Sequence, residues 1–195
     1  NPAMVSASMG VYLFNTKVML RALMEDAEDP SSTHDFGRDV LPRCIEKSRV
    51  IAYDFIDLND KSVKYWRDVG TLEAYYDANM DLVSVLPEFN LYDTRWPIRT
   101  HLLQQPPAKF VFAQEGRRMG VAIDSIVSGG CIISGGRVVR SVLSPGVRVN
   151  SYCEVDSSIL MHEVHIGRYS RIRRAIIGPG VRIPESSVIG YDLQE

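Results

Sequence analysis

One carboxylate stands out for its position in the sequence. Asp68 follows an aromatic pair in the run YWRDVGT (65–71). Thr71 can cap the amphipathic segment after it, so Asp68 is predicted to lie in a loop between an extended segment and a helix. Loops at such junctions carry ligand-contacting groups in α/β proteins. A single carboxylate there suits Mg²⁺, which completes its shell with phosphate oxygens and water. The structural alternative is an aspartate that caps the helix or forms an ion pair.

Two shorter runs carry further polar and aromatic groups. Ser8 and Tyr12, in ASMGVY (7–12), are four residues apart, so on a strand their side chains point to the same face. Asp35 and Phe36, in HDFGRD (34–39), could pair a carboxylate that accepts hydroxyl groups with an apolar ring platform, as in sugar sites. Taken alone, both runs also fit structural roles, with Asp35 as a helix N-cap and Phe36 in a core.

The elements that would position these residues are mixed. Apolar periodicity and capping residues predict helices over residues 17–26, 34–47 and 72–85. Extended segments are predicted over residues 9–14, 49–57 and 65–69. The first half of the chain is therefore predicted to be α/β. Residues 87–107 contain four prolines and no sustained period, which indicates a linker packed on the surface, with Tyr92 and Trp96 as anchors.

The second half has a clear repeat. From Arg140 it divides into three rows of seventeen residues, RSVLSPGVRVNSYCEVD, SSILMHEVHIGRYSRIR and RAIIGPGVRIPESSVIG. Aliphatic residues recur in the same columns at intervals of five or six, whereas an amphipathic helix would show intervals of three and four. The period predicts a triangular parallel β-solenoid beginning near Ala108. One row earlier, Ile126, Ile132 and Val138 are predicted to occupy three of the same columns.

Arginines outnumber acidic residues in the solenoid half. The ordinary interpretation is a set of solvated corners. The functional alternative is a cationic face that binds an anionic effector or a partner surface. Nucleic acid is the weaker form of that alternative, because no aromatic platform is interleaved with the charges. The arginines in question are Arg137, Arg140, Arg148, Arg168, Arg171, Arg173, Arg174 and Arg182.

Composition limits the remaining classes. The 195 residues allow one large or two small domains, with 45% hydrophobic residues and a formal net charge of −2. No apolar run is long enough to span a bilayer, and no secretory signal is recognisable, so a cytoplasmic location is expected. The three cysteines, Cys44, Cys131 and Cys153, follow no CxxC spacing. They are predicted to be buried or half-buried thiols rather than disulfides or zinc ligands.

Taken in order, the motifs resemble one family along essentially the whole chain. SASMGVYLF, HDFGRDVLP, YWRDVGTLEAYYDANMDL, YDTRWPIRT, PPAKFV and SIVSGGCIISG, followed by the solenoid, are similar to bacterial ADP-glucose pyrophosphorylase (glucose-1-phosphate adenylyltransferase). The resemblance implies part of a Rossmann-like nucleotidyltransferase domain followed by a left-handed parallel β-helix. It also implies the Mg²⁺-dependent conversion of ATP and α-glucose 1-phosphate to ADP-glucose and pyrophosphate in glycogen biosynthesis, by a homotetramer.

The resemblance also implies roles for individual residues. Ser8 and Tyr12 would contact glucose 1-phosphate. Asp35, Phe36 and Trp66 would line the sugar pocket. Asp68 would be catalytic and would hold the metal. The corresponding division of the chain is residues 1–86 for the transferase part, 87–107 for the linker and 108–195 for the β-helix.

The chain departs from the family in one important respect. The glycine-rich ATP loop is missing, so the chain resembles a C-terminal fragment that is not expected to catalyse the reaction alone. A sugar-phosphate effector of the parent enzyme is plausible, but Gly146 and Pro179 occupy corners where positive charge would be expected.

Three alternatives remain at the level of sequence. One is a non-catalytic regulatory subunit of the same family. Another is a hexapeptide-repeat acyltransferase, or a bifunctional uridylyltransferase, with His162 or His165 as the base. The last is an oligomerisation module without catalytic function.

Overall fold

The computed structural model describes residues 7–57, 62–95, 97–101, 103–114 and 118–191. Contacts divide the chain into two units, Asn1–Trp66 and Arg67–Glu195. Over the described ranges, no helix has both the length and the apolar character that crossing a membrane requires. All three cysteines are free and buried, as predicted, and burial raises the pKa of the Cys131 and Cys153 thiols.

The first unit is built around two short helical segments. Helix α1 spans Thr16–Ala27 and is capped by Asn15, whose side chain accepts a hydrogen bond from Lys17 N at 3.1 Å. The second segment is a π-helical turn, Phe36–Val40, that continues into α2, Leu41–Lys47. It begins two residues later than the predicted helix over 34–47, because His34 has a left-handed backbone (φ 59°) that a right-handed helix excludes.

The extended segments of this unit do not form a sheet. Residues 9–14 and 49–57 were predicted as β-prone, but the described part of the unit contains only an isolated antiparallel bridge between Ile56 and Val63. A β-strand requires a neighbouring strand to take up its backbone hydrogen bonds. Apolar and polar side chains therefore alternate in these segments, but beyond this bridge the backbone hydrogen bonds to a neighbouring strand, which would make them β-strands, are not formed among the described residues.

Helix α3, Leu72–Asp81, opens the second unit. Thr71 caps it by accepting a hydrogen bond from Ala74 N at 3.1 Å, as predicted. The helix ends four residues before the predicted limit at residue 85. The predicted anchoring role of Tyr92 is wrong, since 79% of its surface is exposed. Trp96, the other predicted anchor, lies outside the described residues.

From Lys109 onward, the second unit is a parallel β-solenoid. Its strands form three parallel sheets, in the orders β1-β6-β9-β12-β15, β4-β7-β10-β13-β16 and β5-β8-β11-β14, here called sheets one, two and three. An antiparallel hairpin, β2-β3, projects from the first coil. The strand bounds are β1 Lys109–Val111, β2 Ala113–Gln114, β3 Arg118–Met119, β4 Val121–Ile123, β5 Ile126–Val127, β6 Ile132–Ser134, β7 Arg137–Val139, β8 Val142–Leu143, β9 Arg148–Val149, β10 Glu154–Asp156, β11 Ile159–Leu160, β12 His165–Ile166, β13 Arg171–Arg173, β14 Ile176–Ile177, β15 Arg182–Ile183 and β16 Val188–Ile189.

The seventeen-residue period is confirmed by the register. Leu143, Leu160 and Ile177 pair in sequence on sheet three, and Val149, Ile166 and Ile183 do so on sheet one. All six are buried in one continuous aliphatic core. Burying each of these side chains stabilises the fold by about 1.5–3 kcal/mol, which explains why a stack of such short strands holds together.

The prediction for the preceding row is shifted by one residue. Val138 pairs with Val155 as expected, but the partners of Leu143 and Val149 are Val127 and Ile133, not Ile126 and Ile132. The cause is the corner at Gly135-Gly136, which is one residue shorter than the corresponding corner at Asn150–Tyr152 in the next coil. A Cβ on Gly136 would lie 2.7 Å from Asn150 O, so only glycine fits this tight corner.

Serine hydroxyls connect successive coils along one corner. The hydroxyl of Ser141 donates to Val139 O at 2.7 Å and accepts from Ser158 N at 3.1 Å. The hydroxyl of Ser158 in turn donates to Asp156 O and accepts from Ala175 N. Both serines have no exposed surface. This serine ladder satisfies backbone groups that the short strands leave unpaired.

Candidate functional site

Ser8 and Tyr12 meet, although the segment between them is not a strand. Ser8 Oγ lies 2.7 Å from the Tyr12 hydroxyl and also accepts a hydrogen bond from Gly10 N at 3.2 Å. Gly10 has a positive φ of 71°, which turns the chain between the two side chains. The pair thus offers two hydroxyl groups, both exposed, at one edge of a cleft.

Three aromatic rings form the wall of that cleft. The Phe36 ring centroid lies 5.2 Å from that of Tyr12 and 5.6 Å from that of Phe14. Asp35 and Gly37 lie on the same cleft, which has a volume of about 580 Å³ and falls within the range of small-molecule sites. Hydroxyl groups, a carboxylate and ring faces are the groups that a sugar or sugar phosphate requires.

Asp35 has the structural role that the sequence left open as an alternative. One of its carboxylate oxygens accepts a hydrogen bond from Arg38 N at 2.7 Å and so caps the helical segment. Its backbone N–H donates to the Asp39 carboxylate at 3.2 Å, which also accepts from Thr33. These bonds fix the orientation of Asp35 and leave its second oxygen for another partner.

A buried carboxylate supports the same loop from behind. Asp26 is only 4% exposed and accepts a hydrogen bond from the Ser32 hydroxyl at 2.6 Å. His34 Nδ1 lies 2.9 Å from its other oxygen, and Arg43 Nη1 lies 3.4 Å from the oxygen that accepts from Ser32. The hydrogen bonds from Ser32 and His34 hold the pKa of Asp26 below its ordinary value. Asp26 thereby stabilises the left-handed conformation of His34, the residue before Asp35.

Trp66 lines a second cleft of the first unit. Its neighbours there include Met9, Phe55 and Lys64. The Trp66 side chain is 47% exposed. The structure therefore brings Tyr12, Asp35 and Phe36 to one cleft, with Ser8 hydrogen-bonded to Tyr12, and assigns Trp66 to another. Met9 lines this second cleft and is adjacent in sequence to Ser8, which lies beside the first cleft.

Asp68 belongs to the second unit and lies in the loop before α3. It is exposed, and its side chain folds back to within 3.4 Å of the position that a Cβ on Gly70 would occupy. No carboxylate hydrogen bond or ion pair involves Asp68 within the described part of the chain, so it is neither a helix cap nor an ion-paired residue there. The same residues contain no group of three or more potential metal ligands. A single free carboxylate fits a Mg²⁺ ion that takes its other ligands from phosphate and water.

Sequence reasoning missed Phe14 and Met19, which line the cleft beside Tyr12 and Phe36. The signal for Phe14 was its position two residues after Tyr12, since alternate residues of an extended segment share a face. Met19 lies in the first turns of α1, and only the position of that helix relative to the aromatic rings brings it to the cleft.

Two family models match the chain. One, described as nucleotidyl transferase, matches residues 1–85, and the other, described as GlmU-like, C-terminal hexapeptide, matches residues 106–195. These matches agree with the order of an α/β segment followed by the solenoid.

Relatives named glucose-1-phosphate adenylyltransferase match the chain from end to end. The protein of Koribacter versatilis is 62% identical over 194 residues, which is 100% of this chain and 46% of the relative. That of Rhodopirellula baltica is 57% identical over 195 residues (99% and 44%), and that of Methylococcus capsulatus is 51% identical over 194 residues (100% and 46%). The chain thus spans less than half the length of these relatives. With this identity along its whole length, the chain belongs to the glucose-1-phosphate adenylyltransferase family.

Proposed function

We propose that the protein containing this chain transfers the adenylyl group of ATP to α-glucose 1-phosphate, giving ADP-glucose and pyrophosphate for glycogen biosynthesis. The observation that carries the proposal is the cleft lined by Tyr12, Asp35 and Phe36, with Ser8 bonded to Tyr12, in a chain 62% identical to a relative named for this activity. The proposal includes a cytoplasmic, tetrameric enzyme that responds to an anionic sugar-phosphate effector.

The sugar phosphate is assigned to the aromatic cleft. Phe36 would pack against the apolar face of the glucose ring, and the free oxygen of Asp35 would accept its hydroxyl groups. The hydroxyls of Ser8 and Tyr12 would donate to the phosphate. The resemblance implies that Trp66 also lines the sugar pocket, although in this structure it lies in the second cleft. Each of these residues binds or orients the substrate, so no proton-transferring histidine is needed.

The reaction is an in-line displacement at phosphorus. A phosphate oxygen of glucose 1-phosphate forms a bond to the α-phosphorus of ATP, while the bond from that phosphorus to the bridging β-phosphate oxygen breaks and pyrophosphate leaves. Asp68 is assigned as a ligand of Mg²⁺. The ion would supply charge neutralisation for the phosphate oxygens. The role of the protein is therefore mainly to position two anionic substrates.

The test is a comparison of two aspartate substitutions in the full-length enzyme. Asp68→Asn removes the charge of the proposed metal ligand, whereas Asp77→Asn removes an exposed charge from α3, the helix that follows. We expect Asp68→Asn to reduce kcat for ADP-glucose formation by at least about 100-fold, with an unchanged melting temperature and normal turnover by the Asp77 variant. Near-normal turnover by Asp68→Asn would remove this residue from the site. A wild-type protein that forms no ADP-glucose would instead support the non-catalytic subunit.

A further inference from the structure

Three basic side chains form a column on the outer surface of sheet one. Arg148, His165 and Arg182 occupy equivalent positions on β9, β12 and β15 and pair with one another in register. The residue after each of them, Val149, Ile166 or Ile183, is buried in the core, so the basic residues point outward. Both arginines are exposed.

This column has no counterion within the described residues. Each ion pair between described residues involves other side chains, and none brings a carboxylate within 4.0 Å of Arg148 or Arg182. The side chains contact each other instead: Arg182 Nη1 lies 3.4 Å from His165 Nδ1, and Arg148 Nε donates to Asn150 Oδ1 at 3.3 Å.

Sheet two provides a direct contrast on the same coils. There Glu154 lies between Arg137 and Arg171 in the register, and it pairs with Arg171 at 3.5 Å. Opposite charges alternate on that face, as is expected when neighbouring strands are about 4.8 Å apart. On sheet one the equivalent positions of β9, β12 and β15 are all basic, and the column ends at Ile132 of β6, which pairs with Arg148. The nearest acidic residues in sequence, Glu163 and Glu185, belong to the flanking corners.

Arg148 and Arg182 flank His165 on one exposed face, and neither guanidinium group has a carboxylate partner among the described residues. We propose that the column of Arg148, His165 and Arg182 is a binding site for an oligophosphate anion. The guanidinium group matches the geometry of phosphate oxygens and can bind them through two parallel hydrogen bonds. Successive phosphate groups would then lie along the solenoid axis, one against each pair of neighbouring coils. This site is independent of the aromatic cleft and of the proposed reaction.

The test measures anion binding by two double variants of the full-length protein. Arg148→Gln with Arg182→Gln removes both guanidinium groups of the column, and Arg137→Gln with Arg171→Gln removes the same charge from equivalent positions on sheet two. The probe is tripolyphosphate, titrated calorimetrically at constant ionic strength, with a chelator to exclude divalent metal ions.

We expect saturable binding by the wild type and by the sheet-two variant, and at least about tenfold weaker binding by the column variant. Equal loss of affinity in both variants would show a general effect of net charge and overturn the proposal. Unchanged affinity in the column variant would also overturn it.

Thermal melting provides an independent measurement. Without the anion, the column variant is expected to melt no lower than the wild type, because the substitution removes no ion pair between described residues. Tripolyphosphate should raise the melting temperature of the wild type and of the sheet-two variant by mass action, but not that of the column variant. A column variant that melts lower than the wild type, and is stabilised by the anion to the same extent, would contradict the assignment.

Discussion

Asp26 supports the loop that leads to Asp35 in the candidate sugar cleft. It is a buried carboxylate that receives hydrogen bonds from Ser32 and His34, and through His34 it constrains the backbone that leads to Asp35. Sequence patterns do not identify such a residue, because Asp26 lies at the end of a helix whose other polar side chains are solvated.

Asp26→Asn is expected to lower the stability of the first unit in a pH-dependent manner. The pKa of Asp26 is depressed in the folded state, so its carboxylate stabilises the fold above the unfolded pKa of about 4, and this contribution is lost as the pH falls through the folded pKa. The variant should therefore melt below the wild type at pH 7 and approach it at pH 3. Melting curves at both pH values measure the difference. A constant difference would contradict the assigned role of the charge.

Tyr12→Phe isolates a single hydroxyl group of the cleft. The ring contact with Phe36 is retained, while the hydroxyl group next to Ser8 is lost. In the full-length enzyme we expect KM for glucose 1-phosphate to rise by about tenfold, with a smaller change in KM for ATP. Tyr53→Phe, at a side chain that is 75% exposed, is the matched control. Equal effects on both substrates would argue against a sugar-phosphate contact.

At the scale of elements, the solenoid was predictable because its coils repeat one local pattern. The columns through Ile166 and Ile172 lie in the core as the period requires. The exception is the double-glycine corner, where one missing residue shifts the register, and a fixed period cannot anticipate this shift.

The first unit was less predictable. Its helix caps at Asn15 and Thr71 are local signals, whereas the strand assignments depended on partners that the sequence pattern does not specify.

The site itself was predictable only in part, for the same reason. The sequence spacing places Ser8 and Tyr12 on one face, but their direct contact depends on the turn at Gly10, whereas the cap formed by Asp35 follows from its residue type. The position of Phe14 against Phe36 depends on tertiary packing. The proposal for Arg148 and Arg182 required the register, since the sequence does not show which arginines lack acidic neighbours.

Ile166→Asp tests the solenoid core. Ile166 has no exposed surface, and an unpaired carboxylate there would destabilise the stack by at least about 3 kcal/mol. We expect a large fall in the melting temperature or insoluble protein. Arg168→Asp, at an exposed position two residues later, should remain soluble and melt close to the wild type. Normal melting of Ile166→Asp would contradict the assigned core.

Ser158→Ala tests the serine ladder. The substitution leaves Ala175 N–H without its partner in the interior, at an expected loss of about 1–3 kcal/mol of unfolding free energy. Ser187→Ala is the control, because this hydroxyl donates to Pro184 O but lies in a partly exposed corner. Chemical denaturation of both variants measures the difference, and equal losses would show that the ladder adds no special stability.

At the scale of the molecule, the division of the chain is still a proposal. The family models leave residues 86–105 unmatched, whereas contacts assign everything from Arg67 onward to the second unit. One link explains the difference. Tyr76 of α3 donates to Ser157 O at 2.7 Å, beside Ile159, an outward-facing residue of sheet three that is nevertheless only 1% exposed. Helix α3 therefore covers part of the solenoid.

A comparison of two fragments checks this arrangement. A fragment of residues 67–195 retains α3, and one of residues 106–195 does not. We expect the shorter fragment to unfold at a lower denaturant concentration and to bind a hydrophobic dye, since it exposes the apolar outer surface around Ile159. Equal midpoints and equal dye binding would place the boundary after α3, as the division at residue 86 proposes.

The serine ladder has a consequence for how the solenoid can change over time. Each hydroxyl joins its own coil to the next one, so a change of length is tolerated only where it leaves the serines aligned. Loss or gain of a complete turn does so, and so does the shorter corner at Gly135-Gly136, across which Ser141 N still donates to the Ser125 hydroxyl at 3.1 Å. Length variation in this part of the molecule should thus occur in whole turns, with smaller changes confined to the glycine corner and the projecting hairpin.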